Sequence, residues 1–182
     1  AAGLAHGWLN LDDADNDLAR FLAHLEMAVA RAAPAADGPG AGGALGLIER
    51  IAASPCSFTL FLDDFECLRS SSVLDFIGQV LEHAPRGWQL VIGSRVAPGL
   101  GLGRSRALGH VREIDMEMLR FSEAEVTEFM RQRRGPPLSA EVLQRLHRVT
   151  EGWATALWLA SVSLEGRPRP EEYLRTFSGR EA

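Results

Sequence analysis

The chain contains no lysine. All 19 basic residues among its 182 are arginine, set against 24 acidic residues for a formal net charge of −5. Lysine is ordinarily among the commonest residues, so the bias points to a genome that favours Arg, Ala and Gly codons. The absence excludes chemistry. No lysine Schiff base can form, and a G-x-x-x-x-G-K-[ST] phosphate-binding loop cannot be complete within these residues. Cysteine is scarce too. Cys56 and Cys67 make no CxxC and have no His at metal-ligand spacing, so both are expected to be reduced structural thiols. No apolar run approaches the roughly 18 residues of a membrane span. The first seven residues lack the charged and apolar regions of a signal peptide. A cytoplasmic protein with no membrane segment is expected. The five histidines are dispersed, without an HExxH, and no GxSxG elbow is present. The mild acidity also argues against a nucleic-acid grip.

What is present is a globular composition, 46% hydrophobic and 24% charged, on a chain long enough for a proper core. Trp8–Leu11 reads as a strand end, and the acidic run Asp12–Asp17 as a helix start, because Asp and Asn cap helices. Leu18, Phe21, Leu22, Leu25 and Val29 predict a helix from Asp17 to Ala33. Residues 34–43 read as a Gly/Pro-rich linker, and 44–53 resume helical spacing. Ser57–Leu62 is a continuous apolar run ending in Asp63-Asp64, the pattern of a strand buried on both faces. Val73, Leu74, Ile77, Val80 and Leu81 predict a helix, and Pro85 and Gly87 end it. Trp88–Gly93 predicts a second buried strand, closing in Ser94-Arg95, and Val111–Ile114 a further short one.

From Phe121 the pattern is helical. Ser122-x-x-Glu125 forms a capping box, Gly135-Pro136-Pro137 stops that helix, Ser139 caps a second, Gly152 leads a third and Pro170 opens a short last one. The order predicts an α/β parallel sheet covered by helices, residues 1–118, followed by an all-helical subdomain, residues 119–182.

Two carboxylates after a buried strand are the Walker B pattern. Strand carboxyl ends face the ligand crevice of open α/β sheets. There Asp63 suits Mg²⁺, and Asp64 suits a water or a structural hydrogen bond. A turn or cap role is the competing reading. Arg95 suits a γ-phosphate sensor, or else a surface Arg paired with a carboxylate. Gly152-Trp153 reads as a Gly-led helix start, with Trp153 and Trp158 expected in the core. Arg131, Arg133 and Arg134 read as a solvated helix end.

Taken in order, Trp8-Leu9-x-Leu11-Asp12-x-x-Asp15-Asn16-Asp17-x-x-Arg20-Phe21, Leu60-x-Leu62-Asp63-Asp64-Phe65, Ser94-Arg95, Glu113-Ile114, Leu119-Arg120-Phe121-Ser122-x-x-Glu125 and Gly152-Trp153-x-x-Ala156-Leu157 form a set. This set resembles the nucleotide-binding region of the MalT-like, large ATP-binding LuxR-type regulators, which are STAND-class P-loop NTPases. The resemblance runs from residue 8 to about 165. It implies a partial P-loop NTPase fold with a helical lid, ATP or ADP with Mg²⁺ as cofactors, and ATP-dependent self-association. It also implies DNA binding only through a helix-turn-helix beyond these residues. Carried onto this chain, Asp63 and Asp64 are the Walker B acids and Arg95 the γ-phosphate sensor. Gly152 and Trp153 fall in the lid segment against the nucleotide. The family's Walker A loop would precede Trp8, and many relatives carry Tyr-His where this chain has Phe65-Glu66. An excised piece of a regulator, binding nucleotide only weakly by itself, is therefore expected. The alternative is a self-association module without live nucleotide chemistry. A free-standing hydrolase is disfavoured.

Overall fold

The computed structural model describes residues 5–33, 43–55, 57–83, 87–133 and 137–164. It divides into two compact units, Ala1–His110 and Val111–Ala182. The linker at 34–42, Cys56, Pro85, the Gly135-Pro136 helix stop, Arg134 and the helix expected after Pro170 lie outside the described residues.

The first unit is α/β. Strands β1 (His6–Asn10), β2 (Thr59–Asp63) and β3 (Gln89–Ile92) form a parallel sheet in the order β1-β2-β3. The register sets Gly7 beside Leu60 and Leu90, and Trp8 beside Phe61 and Val91. Side chains alternate between faces, so Gly7, Leu9, Leu60, Leu62, Leu90 and Ile92 share one face. Helices α1 (Leu18–Ala32), α2 (Ala44–Ala52) and α3 (Ser71–Glu82) supply the core that packs with it. Phe21, Leu25, Ala28, Val29 and Ala32 recur at helical spacing and are buried, as are Val73, Phe76, Ile77 and Val80. At Gly7 a Cβ would lie 2.4 Å from the Ala28 carbonyl oxygen, so only glycine lets α1 lie this close to β1.

The opposite face corrects the expectation of strands buried on both sides. Trp8 is 54% exposed and Val91 42% exposed. Phe61, between them, is half-buried and stacks on Trp8 with ring centroids 4.7 Å apart. All four residues of β3 are exposed or half-buried. An apolar run shows that a strand can be buried, but what covers it depends on elements elsewhere, and the described helices contribute their buried stripes to the other face. Val111–Ile114 is a second correction. It forms no strand, and Ile114, which falls in the sequence between the short helices α4 (Gly103–Ala107) and α5 (Met116–Leu119), is 61% exposed. Arg112 and Glu113 interrupt an apolar pattern too short to claim a sheet edge.

The second unit is helical. Helices α6 (Glu123–Gln132), α7 (Ala140–Thr150) and α8 (Ala154–Leu164) enclose Val126, Val142, Leu146, Leu157, Ala160 and Leu164. The Ser122–Glu125 capping box forms as the spacing predicts, and Ser139 occupies the N-cap of α7. Arg131 pairs with Glu128 at 2.7 Å. Trp153 and Trp158, expected in the core, are both exposed. The buried stripe of α8 is Leu157, Ala160, Ser161 and Leu164. Trp158 lies about 100° around the helix from Leu157, and Trp153 precedes the first helical turn.

Candidate functional site

The carboxyl ends of the strands gather the first set of predicted residues. Asp63 ends β2. Its Oδ1 accepts the backbone N–H of Asp64 at 3.1 Å, and its carbonyl accepts from Leu11 N–H at 3.0 Å. Asp64 adopts a left-handed backbone, φ 55° and ψ 39°, at the start of a 3₁₀ turn, Phe65–Cys67. Few non-glycine residues adopt that conformation, although Asp and Asn tolerate it best. Gly93 follows β3. A Cβ there would sit 2.4 Å from Asp63 Oδ1, so this glycine makes the room in which the carboxylate stands.

Arg95 extends from the next loop and is 83% exposed along its side chain. Its guanidinium meets Glu66 through Nε–H and lies 3.9 Å from Asp64 Oδ1. Glu66 Oε2 also accepts the Arg95 backbone N–H at 3.2 Å and the Ser94 hydroxyl at 3.3 Å. These bonds, beginning with the one from its own backbone N–H, hold the Glu66 carboxyl down at about 2. Glu66 in turn raises the pKa of the Arg95 guanidinium. The structure thus brings Asp63, Asp64 and Arg95 together and adds Glu66. In the sequence Glu66 stands out only as a departure from the family pattern. An acid three residues past the strand end, opposite the Ser-Arg pair of the next strand, was the available signal.

The acidic run before α1 is built for structure. Asp12 N–H donates to Asp15 Oδ2 at 3.0 Å, and Asp12 Oδ1 accepts from Ala14 N–H at 2.8 Å. Asp15, only 1% exposed, also meets His24 Nδ1 at 2.9 Å and Arg20 Nε at 3.4 Å. Asp17 caps α1 by accepting from Arg20 N–H at 2.8 Å. Asn16 crosses to the neighbouring connection. Its Nδ2 donates to Cys67 O at 2.8 Å, and its Oδ1 accepts from Arg69 N–H at 2.6 Å and Ser70 N–H at 2.8 Å. One side chain thereby fastens the β1–α1 loop to the β2–α3 loop. Cys67 carries a free thiol whose pKa burial pushes up.

Gly152 and Trp153 belong to the second unit and form a joint there. Glu151 (φ 49°) and Gly152 (φ 76°) are both left-handed. Phe121 N–H donates to Gly152 O at 2.8 Å, and a Cβ on Gly152 would meet Phe121 O at 2.4 Å. Arg120 donates to the Glu151 carbonyl and carboxylate, each at 2.9 Å, and its guanidinium lies 5.3 Å from the Trp153 ring centroid. His147 Nε2 meets Phe121 O at 3.0 Å. Arg120, Glu123, Gln144, His147, Arg148 and Glu151 line an open depression of about 520 Å³ beside this joint.

Among the described residues, no three His, Cys, Asp or Glu side chains converge as a metal-binding group. Two adjacent carboxylates still fit Mg²⁺, which normally keeps several waters and takes further oxygens from substrate phosphates. Asp63 would supply the protein's ligand to such an ion, with Asp64 beside it for a water or a structural hydrogen bond. Among the described residues, no helix is long and apolar enough to cross a membrane.

No model of a known protein family matches the chain. It is 30% identical over 189 aligned positions to the serine/threonine-protein kinase PknK of Mycobacterium tuberculosis (strain H37Rv), covering 97% of this chain and 17% of the kinase. It is 28% identical over 175 positions to the HTH-type transcriptional regulator MalT of Vibrio campbellii, covering 90% of this chain and 19% of the regulator. MalT of Vibrio parahaemolyticus is 27% identical over the same length. The chain therefore spans less than a fifth of each of these relatives.

Proposed function

We infer that this chain, similar to MalT regulators over nine-tenths of its length, carries the Walker B, sensor and lid portion of an ATP-dependent switch in a cytoplasmic transcriptional regulator. The observation that carries the reading is the grouping of Asp63, Asp64 and Arg95 at adjacent strand ends, with Gly93 leaving room for the Asp63 carboxylate. Asp63 would hold Mg²⁺, and Asp64 would orient water or anchor the turn. Arg95 would meet the terminal phosphate. Bound Mg·ATP would supply the charge difference that separates the two states of the switch. Gly152 and Trp153 would belong to the lid segment of the switch. Self-association and promoter binding would belong to the longer parent, the latter through its own helix-turn-helix.

The residues support sensing better than tight capture. The main cradle for phosphates is a run of backbone N–H groups with a Lys, and this chain has no Lys. The test is titration of labelled ATP with Mg²⁺ into a parent chain extended upstream of these residues, with and without Asp63→Ala. Binding that Asp63→Ala weakens supports the reading. An extended chain that binds no nucleotide removes it.

A second reading, self-association without nucleotide chemistry, is favoured by the Trp8–Phe61–Val91 row. An exposed apolar stripe on a parallel sheet invites a partner, and the partner this reading names is a second copy. Sedimentation of the chain beside Trp8→Ser/Val91→Thr separates the two readings. A strict monomer at high concentration counts against this one.

A further inference from the structure

We propose that Glu66 is a specificity-determining positioning residue that occupies Arg95 in place of a terminal phosphate, so that ATP must displace an internal carboxylate while ADP need not. The proposal rests on the nucleotide reading above and deepens it. Three donors converge on this one carboxylate: the Ser94 hydroxyl, the Arg95 backbone N–H and the Arg95 Nε–H. A terminal nitrogen of the same guanidinium lies 3.9 Å from Asp64 Oδ1. A carboxylate and a phosphate oxygen present the same chemistry to a guanidinium fork. Two such anions compete for one Arg, and the free chain keeps its sensor paired with Glu66.

The arrangement has a directional consequence. A residue that merely stabilised the loop would lower nucleotide affinity when altered. A competitor for Arg95 raises affinity when its charge is removed, and only for the nucleotide whose terminal phosphate reaches Arg95. Glu66→Gln keeps the size and one acceptor oxygen but removes the charge. Glu66→Asp keeps the charge on a shorter arm.

The experiment has two arms. In residues 1–182, ¹⁵N spectra follow the Arg95 Nε–H resonance. A distinct, slowly exchanging signal is expected in the wild type, retained in Glu66→Asp and lost in Glu66→Gln. Its absence from the wild type overturns the pairing itself. In the extended parent, calorimetry measures Mg·ATP and Mg·ADP binding to the wild type, Glu66→Gln, Glu66→Asp and Arg95→Ala. Glu66→Gln is expected to tighten ATP about fivefold, the scale of an exposed charge pair, with ADP unchanged and Glu66→Asp near wild type. Equal ATP affinity in wild type and Glu66→Gln, with Arg95→Ala weakened, overturns this proposal and leaves the nucleotide reading standing. No binding by any variant, the wild type included, overturns both.

Discussion

The Phe121 backbone N–H donates to the Gly152 carbonyl across 2.8 Å, joining two sequence motifs 31 positions apart. The Leu119–Ser122 turn and the Gly152–Leu157 helix start thus meet backbone to backbone. Arg120 seals the contact against Glu151 and Trp153.

Replacing Gly152 tests that joint. Gly152→Ala places a Cβ against Phe121 O in a left-handed backbone. Left-handed strain and the forced shift together should cost about 2–4 kcal/mol. Hydrogen exchange should show faster opening of the α6–α8 amides with the β-sheet amides unchanged. Equal protection in the variant removes the account.

Asn16→Ala removes one acceptor shared by Arg69 and Ser70 N–H and one donor to Cys67 O. The expected loss is about 1–3 kcal/mol, the range for stranding partly buried partners. Denaturant midpoints measure it. The Arg69 and Ser70 amides should lose protection first.

Gly93→Ala is expected to displace the Asp63 carboxylate, because the new Cβ would overlap Oδ1. Mg·ATP affinity of the extended parent should fall at least as far as with Asp63→Ala, while circular dichroism of the chain stays near wild type. Unchanged affinity would count against Asp63 as the proposed Mg²⁺ ligand.

The pH dependence follows from two lowered carboxyls. Glu66 and Glu128 each lie at about 2 in the folded chain, against an ordinary value of 4.5. Glu66 is held by its own backbone N–H and then by Arg95, Glu128 by Arg131 and then Gln132. A folded value below the unfolded one stabilises the chain above the unfolded pKa and loses that contribution as pH falls through the folded one. Both contributions should be complete above about pH 5 and fade between pH 4.5 and 2. Carboxyl ¹³C titration checks this, and midpoints near 4.5 would contradict it.

Local chemistry was legible in the sequence wherever one short segment decides the outcome. The Ser122–Glu125 box, the Asp17 cap and the stripes of α1 and α3 need only neighbours three or four residues apart. Asp63 at a strand end was readable because an apolar run stopped abruptly at two acids. The relationships that failed to show are long-range. Asn16 acts on residues 51 to 54 positions away. Glu66 finds Arg95 across 29. No periodicity records such pairs. The exposed state of β3 was equally hidden, since hydrophobicity records what a strand tolerates rather than what lies over it.

On the self-association reading, the Trp8–Phe61–Val91 row would also tie this chain's stability to mass action. Whatever binds the folded sheet through that stripe, and not the unfolded chain, stabilises it by an amount set by its concentration relative to its dissociation constant. A melting temperature for this chain would then be a property of the solution as well as of the fold. A rise in Tm with protein concentration would be the thermodynamic signature of a second copy. A rise only on adding flanking sequence would assign the stripe to the parent.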